Sequence, residues 1–349
     1  MRLRKRPITV MFILAFFFWC AFAEHANAQA NNDVLASIYV NYSIRHIMAG
    51  NYERVIELID AAFNLGMTDR YLRADAYYTR SYAHLYLENF DEAYNDIMRS
   101  MELHYWSNSF DLLSSIYHRT GRHKEALLAM NRAIELDDQV LAFFRSRAVV
   151  YTALHKFENA LNDVNYVLSI APRCTDALSI KSSIYIFMGE FQKALAYINK
   201  AISIEPENPT FWARRGVIYL DMGNLDEALI AYSRAIDLDA RRHTAYKMRG
   251  LIFRRMGNNL AALNDFNMAL QLAPNVMQLY YYRGRLHLEM GNFQATLSDF
   301  AELARLTGDE ELQRQAQIFQ GEMLPVIEMY THLRQFVELL ERFSNSESP

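Results

Sequence analysis

The sequence predicts an all-α chain built from about eight helix-turn-helix repeats, and three observations predict it. One pattern of apolar and small residues returns every 34 residues through most of the chain. Each period holds two stretches with apolar residues at helical spacing. A Gly-containing turn separates the two stretches, and proline recurs where one period passes to the next. Pro209–Arg242 shows the period most plainly. Trp212, Val217, Ile218 and Tyr219 share one stripe, Gly223-Asn224 breaks it, and Leu229, Tyr232, Ile236 and Leu238 start another.

In the phase of Pro209, units start at Ser107, Leu141, Thr175, Pro209, His243 and Met277. Upstream, one starts at Ala74 with a residue missing near Tyr105, and one at Ala36 with four extra residues around Met67–Arg73. The slot of Gly216 holds Ser43, Ser81, Ser114, Ala148, Ser182, Gly250 and Gly284, all small. The slot of Ala228 holds alanine in six of eight units, with Val55 and Thr296 at the ends. Small side chains at both places let two helices approach closely. Gly223 recurs as Gly50, Gly121, Gly189, Gly257 and Gly291, since a helix C-terminus favours a residue that tolerates positive φ. Glu88 and His155 replace it in two units, where strained turns are expected. Pro172, Pro206 and Pro274 stop the second helices.

These residues resemble the tetratricopeptide repeat (TPR) family. The aromatic Trp212, the Gly216 slot, Tyr219, the glycine turn, Ala228, Tyr232, Ala235 and the closing proline follow the family's order. The resemblance covers residues 36–310. It implies a right-handed superhelical solenoid whose first helices line a concave groove for a partner's peptide or helix. Asn259, where Phe157, Phe191 and Phe293 stand, and Val55 depart from the pattern locally.

The array accounts for much of the remaining sequence. A base stands just before the small slot in six units: Arg80, Arg147, Lys181, Arg215, Arg249 and Arg283. Sixteen residues later four of those units carry Asp96, Asp163, Asp265 and Asp299, which predicts a salt bridge across the hairpin. Tyr197 and Ala231 stand in for the aspartate of Lys181 and Arg215. These two bases borrow a neighbour's carboxylate, reach solvent, or face a ligand. His46, His84 and His287 occupy the Tyr219 slot and are read as packing residues.

Residues 1–28 read as a signal peptide. Arg2, Arg4, Lys5 and Arg6 precede an apolar run from Ile8 to Ala23, then Ala26-Asn27-Ala28. The run is short for a span of about 20 residues, so cleavage is favoured over an anchor at residues 8–23. Cys20 follows Trp19, a poor context for lipidation. Cleavage leaves Cys174 as the one cysteine, hence no internal disulfide. It also moves the net charge from −4 to −7, since residues 1–28 carry four of 36 bases and one of 40 acids. An acidic body argues against nucleic acid as a partner, and the leader points to the periplasm. Residues 29–35 form a lead-in. Residues 311–343, with Pro325 inside, read as one or two capping helices over the last hydrophobic face. The tail, 344–349, is expected to be disordered.

No metal, nucleophile, phosphate or dinucleotide motif is present, so neither catalysis nor a cofactor is expected. The slots of Thr210, Ala213, Val217, Leu220 and Asp221 are free to face a groove. Repeat two places Asp75, Tyr78, Tyr82, Leu85 and Tyr86 there. Repeat seven places Thr244, Lys247, Leu251, Arg254 and Arg255, and repeat eight Gln278, Tyr281, Arg285, Leu288 and Glu289. The groove therefore grades from aromatic to basic. Tyr78, Tyr82, Tyr86, Lys247, Arg254, Tyr281 and Arg285 are the candidate partner-binding residues. The family's clamp for a C-terminal carboxylate needs Lys and Asn one turn apart, and Lys247 is followed by Leu251 instead. The expected function is a non-enzymatic, exported scaffold for another protein or peptide. The alternative is a small-ligand or peptide-binding component of an envelope uptake or assembly complex, using the basic end of the groove. A self-assembling structural protein is a third class.

Overall fold

The structure is a computed structural model, and it describes residues 30–308 together with 313 and 314. The leader, the tail and, apart from 313 and 314, the capping helices read from the sequence lie outside the described residues. Among those described there are sixteen α-helices and no strand. The chain forms two compact units that meet in sequence at Asp163 and Val164.

The first unit runs through α1 (30–48), α2 (Tyr52–Asn64), α3 (Arg70–Tyr86), α4 (Phe90–Leu103), α5 (Ser107–Arg119), α6 (His123–Leu136) and α7 (Leu141–Ala153). It ends within α8 (Phe157–Ile170). The second continues through α9 (Thr175–Phe187), α10 (Phe191–Ile204), α11 (Pro209–Asp221), α12 (Leu225–Leu238), α13 (His243–Arg255), α14 (Asn259–Leu272), α15 (Met277–Glu289) and α16 (Phe293–Thr307). In both units consecutive helices pack as antiparallel hairpins, and each hairpin packs on the next. The architecture is an all-α repeat solenoid.

Local chemistry sets these boundaries. Pro209 opens α11 at its first turn, and the Asn208 side chain accepts from Thr210 N–H. The helix closes with Asn224 N–H bonded to Tyr219 O at 2.8 Å, across Gly223 at φ +78°. Asp226 and Glu227 then lie in the first turn of α12, where the helix dipole favours them. Two starts differ from the 34-residue phase. Helix is present from residue 30, so the lead-in 29–35 is already helical from 30 onward. The four extra residues after Met67 lengthen α3 by a turn, so that it begins at Arg70 with Asp69 as its cap.

The small slot shows why glycine and serine share it. A Cβ on Gly216 would lie 2.6 Å from the Tyr232 ring, and one on Gly284 would lie 2.6 Å from the Phe300 ring. In repeats two, three and five the opposing residue is Ile97, Met130 or Ile198. There the slot is Ser81, Ser114 or Ser182, whose hydroxyl donates to the carbonyl of Ala93, Ala126 or Ala194. Packing volume is thus conserved across the hairpin, with an aromatic facing glycine and an aliphatic facing serine. The two turns without glycine adopt the expected left-handed conformation, Glu88 at φ 63° and His155 at φ 56°. Arg119 bonds both Glu88 and the Leu85 carbonyl at the first of them.

Candidate functional site

Four arginines form the salt bridges expected across the hairpin. Nε of Arg80, Arg147, Arg249 and Arg283 donates to Asp96, Asp163, Asp265 and Asp299 at 2.7, 2.8, 2.8 and 2.9 Å. A second N–H completes a two-pronged pair in each case, and all four aspartates are buried. The sequence pattern did not show that each guanidinium also reaches back to the preceding repeat. Arg80 bonds Asp60, Arg147 bonds Asn131, Arg249 bonds Ser233 and Arg283 bonds Asn267. One side chain therefore ties three helices. Burial works against the charge of Arg80, and the Asp96 and Asp60 carboxylates more than offset it, so its pKa is raised.

The two bases without an aspartate find other partners. Lys181 bonds Asn165 at 2.6 Å, a residue of the preceding repeat, and sits 4.4 Å from the centre of the Tyr197 ring. Arg215 lies over Trp212 and Tyr219 and 3.7 Å from Glu227 of its own hairpin, with no partner for Nε. Both bases therefore have structural surroundings, and neither borrows a neighbour's carboxylate.

The opposite side of the first helices leaves space, and unsatisfied polar atoms lie beside it. In the first unit a cavity of about 430 Å³ is lined by Tyr78, Tyr82, Tyr86, Asp111, His118, Ser146 and their apolar neighbours. The Tyr82 and Tyr86 rings pack at 4.7 Å, and Tyr86 stacks on Tyr52 at 4.8 Å. Asp111 Oδ1 is sealed from water with no hydrogen-bond partner. Burial raises the Asp111 pKa, and Ser146 and Arg145 only partly counter this. Burial also pushes the Tyr78 hydroxyl up to about 12, helped by the charges of Asp111 and Asp75. Asp75 is itself raised by burial.

In the second unit a cavity of about 380 Å³ is walled by Ile186, Phe187, Ala213, Val217, Tyr232 and Met248, with Arg214 among them. A further one, about 730 Å³, involves Leu220, Asp221, Leu251, Arg254, Arg255 and Glu289. Of the groove slots named from sequence, those of Tyr78, Tyr82, Leu85 and Tyr86, of Thr244, Leu251, Arg254 and Arg255, and of Glu289 line these cavities, whereas Lys247, Gln278, Tyr281, Arg285 and Leu288 lie outside all three. Of the candidates, Tyr78, Tyr82 and Tyr86 come together on one wall. Lys247 is half-buried, lowered in pKa by burial, and 3.4 Å from the Gln278 amide. Arg254 is engaged by Glu289, with Nε to Oε2 at 2.9 Å, and Arg285 bonds the Tyr281 hydroxyl at 3.0 Å. The basic end is therefore less open in charge than its composition suggests.

Sequence reasoning missed Asp111 and Arg214. Asp111 stands in the Ala213 slot of repeat three. Arg214 stands in a slot that is otherwise uncharged: Asn41, Thr79, Leu112, Ser146, Ile180, Met248 and Tyr282.

Family models described as tetratricopeptide repeat match residues 74–103, 108–140, 175–208, 209–241 and 247–311, which together exceed half of the chain. The chain is a tetratricopeptide repeat protein. Among solved structures, the repeat protein is similar to yeast Tom70 at 18% identity and a TM-score of 0.65. That match covers 85% of this chain and 63% of the other. A Parabacteroides merdae tetratricopeptide repeat protein matches at 20% identity and a TM-score of 0.50, over 75% of this chain and 99% of that one. The Cut9–Hcn1 hetero-tetramer of APC/C matches at 12% identity and a TM-score of 0.55, over 80% and 55%. At such identities the likeness is one of fold. No curated protein sequence matches the chain.

Proposed function

We propose that the repeat protein is a non-enzymatic, exported scaffold that holds a segment of another protein against the first-helix face of its hairpins. The observation that carries this reading is the contrast within that face. Its cavities remain open, tyrosines wall one of them, and buried polar atoms there lack partners. Polar atoms in a cavity that no group of the chain satisfies suit the binding of a segment better than a packing role. Tetratricopeptide repeats serve generally as protein-interaction scaffolds, which supports the class of partner. The basic leader with its apolar run and Ala26-Asn27-Ala28 supports export to the periplasm.

Two measurements test it. Protein recovered from the envelope fraction is expected to start at Gln29 and to be soluble after release of the periplasm; retention of residues 1–28 in the membrane contradicts export with cleavage. Affinity isolation of the full chain is expected to recover a partner that the Tyr82→Ala/Tyr86→Ala variant loses while keeping its helix content. Equal recovery by both contradicts the use of this face.

A further inference from the structure

Arg214 is a half-buried cation with no anion to answer it. Its Nη1 donates to the Ser183 hydroxyl, which carries no charge. Its Nε is sealed from solvent without an acceptor. Burial lowers its pKa, and no carboxylate acts on it. The contrast with its sequence neighbour is instructive, because Arg215 has two aromatic faces and Glu227. Guanidinium holds its proton in proteins, so this site cannot become neutral by titration as a buried carboxyl can. Drawing a charge out of water without a counter-ion disfavours folding, yet the equivalent position of the next repeat is Met248, which fills it without charge.

The surroundings say what could supply the anion. The cavity of about 380 Å³ is far larger than a carboxylate alone, and its walls are mostly apolar, with Ile186, Phe187, Val217 and Met248 beside Ser183, Thr210 and Thr244. Phe187 is 63% exposed, so an arriving chain can cover it. The Tyr232 hydroxyl, buried and unpartnered, is a second donor on the same wall.

We infer that Arg214 is the anchor for an aspartate or glutamate side chain inside a partner's segment, with an adjacent apolar residue of that segment packed on Phe187 and Val217. The inference rests on the protein-binding reading above and names the chemistry of the bound segment. Charge complementarity in a desolvated pocket selects the acid, and the apolar walls select its neighbour. The segment need not end there, since the recognised group is a side chain.

The test is selection on the full mature chain with a random dodecapeptide library displayed through its C-terminus, so that no peptide offers a free terminal carboxylate. Selected peptides are expected to be enriched in Asp or Glu next to an apolar residue. The best synthetic peptide should lose at least tenfold in affinity on Arg214→Met. Replacing its acid by the amide should cost a similar factor, and combining both changes should cost little more. Arg214→Gln, which keeps a donor for Ser183, should lose as much as Arg214→Met. Thermal melting is expected to show both variants folded, with Arg214→Met at or above the parent. Binders without an acidic preference, or with affinity unchanged in Arg214→Met, overturn the inference while leaving the protein-binding reading in place. Displacement by decanoate with no acidic peptide selected assigns the cavity to a small aliphatic carboxylate and overturns it. A dimer that Arg214→Met abolishes assigns it to a second copy of the chain and also overturns it. A library that yields no binder contradicts both readings.

Discussion

The side of the first helices that meets the second helices and the side that leaves space treat charge in opposite ways. Across the hairpin, Arg80, Arg147, Arg249 and Arg283 are each held by a buried aspartate and tied back to the preceding repeat. Facing the cavities, Asp111 and Arg214 each keep a buried polar atom with no partner. Both kinds of site bear the cost of removing charge from water. The first recovers it within the chain, whereas Asp111, beside Ser146 and Arg145, and Arg214, bonded to Ser183, do so only in part. The same residue type is therefore structural in one place and available in the other, and the local partner list separates the two.

The sharpest way to break this comparison is to make the first side resemble the second. Asp265→Ala leaves Arg249 without its carboxylate and should cost about 3 kcal/mol, measured by urea unfolding. A loss under 1 kcal/mol would mean that the four salt bridges are ornamental. Next in size is packing. Gly216→Ser drives a side chain into Tyr232 and should cost about 2 kcal/mol. Adding Tyr232→Ile recreates the Ser182–Ile198 pairing of repeat five and should recover most of it.

Smaller effects test the open side. Asp111 has a raised pKa in the folded state, so its ionisation penalises folding at neutral pH, and the penalty fades as pH falls through that raised value. Asp111→Asn should therefore stabilise at pH 7 by about 1 kcal/mol and give no advantage at pH 3. Urea midpoints at the two pH values check the sign. The smallest expected gain comes from completing the unfinished salt bridge. Ala231→Asp places a carboxylate where Arg215 lacks one and should add up to about 1 kcal/mol, read as a raised melting temperature.

Periodic features were legible in the sequence because a repeat states each one several times. The small slot, the glycine turns and the Arg–Asp spacing of sixteen all appear in the structure where the period put them. What was not legible falls into two kinds. The reach of Arg80 or Arg283 back to the preceding repeat depends on how hairpins stack; Asp60, Asn131, Ser233 and Asn267 do share one slot, just after that of Tyr232, but which neighbour that slot meets is set by the stacking. Asp111 and Arg214 are single exceptions to slots, and an exception carries no periodic signal. Composition also overstated the basic end, since Arg254 is answered by Glu289 from the next repeat, one helix away in space and 35 residues away in sequence.

The central claim is that partners meet the first-helix face, and photo-crosslinking in intact cells tests it most directly. A photoreactive residue at Tyr82 or Val217 lies at a cavity, whereas one at Leu128 or Ile230 lies exposed on a second helix. The account predicts discrete adducts from Tyr82 and Val217 and none from Leu128 or Ile230. Adducts from the second-helix positions alone would contradict it.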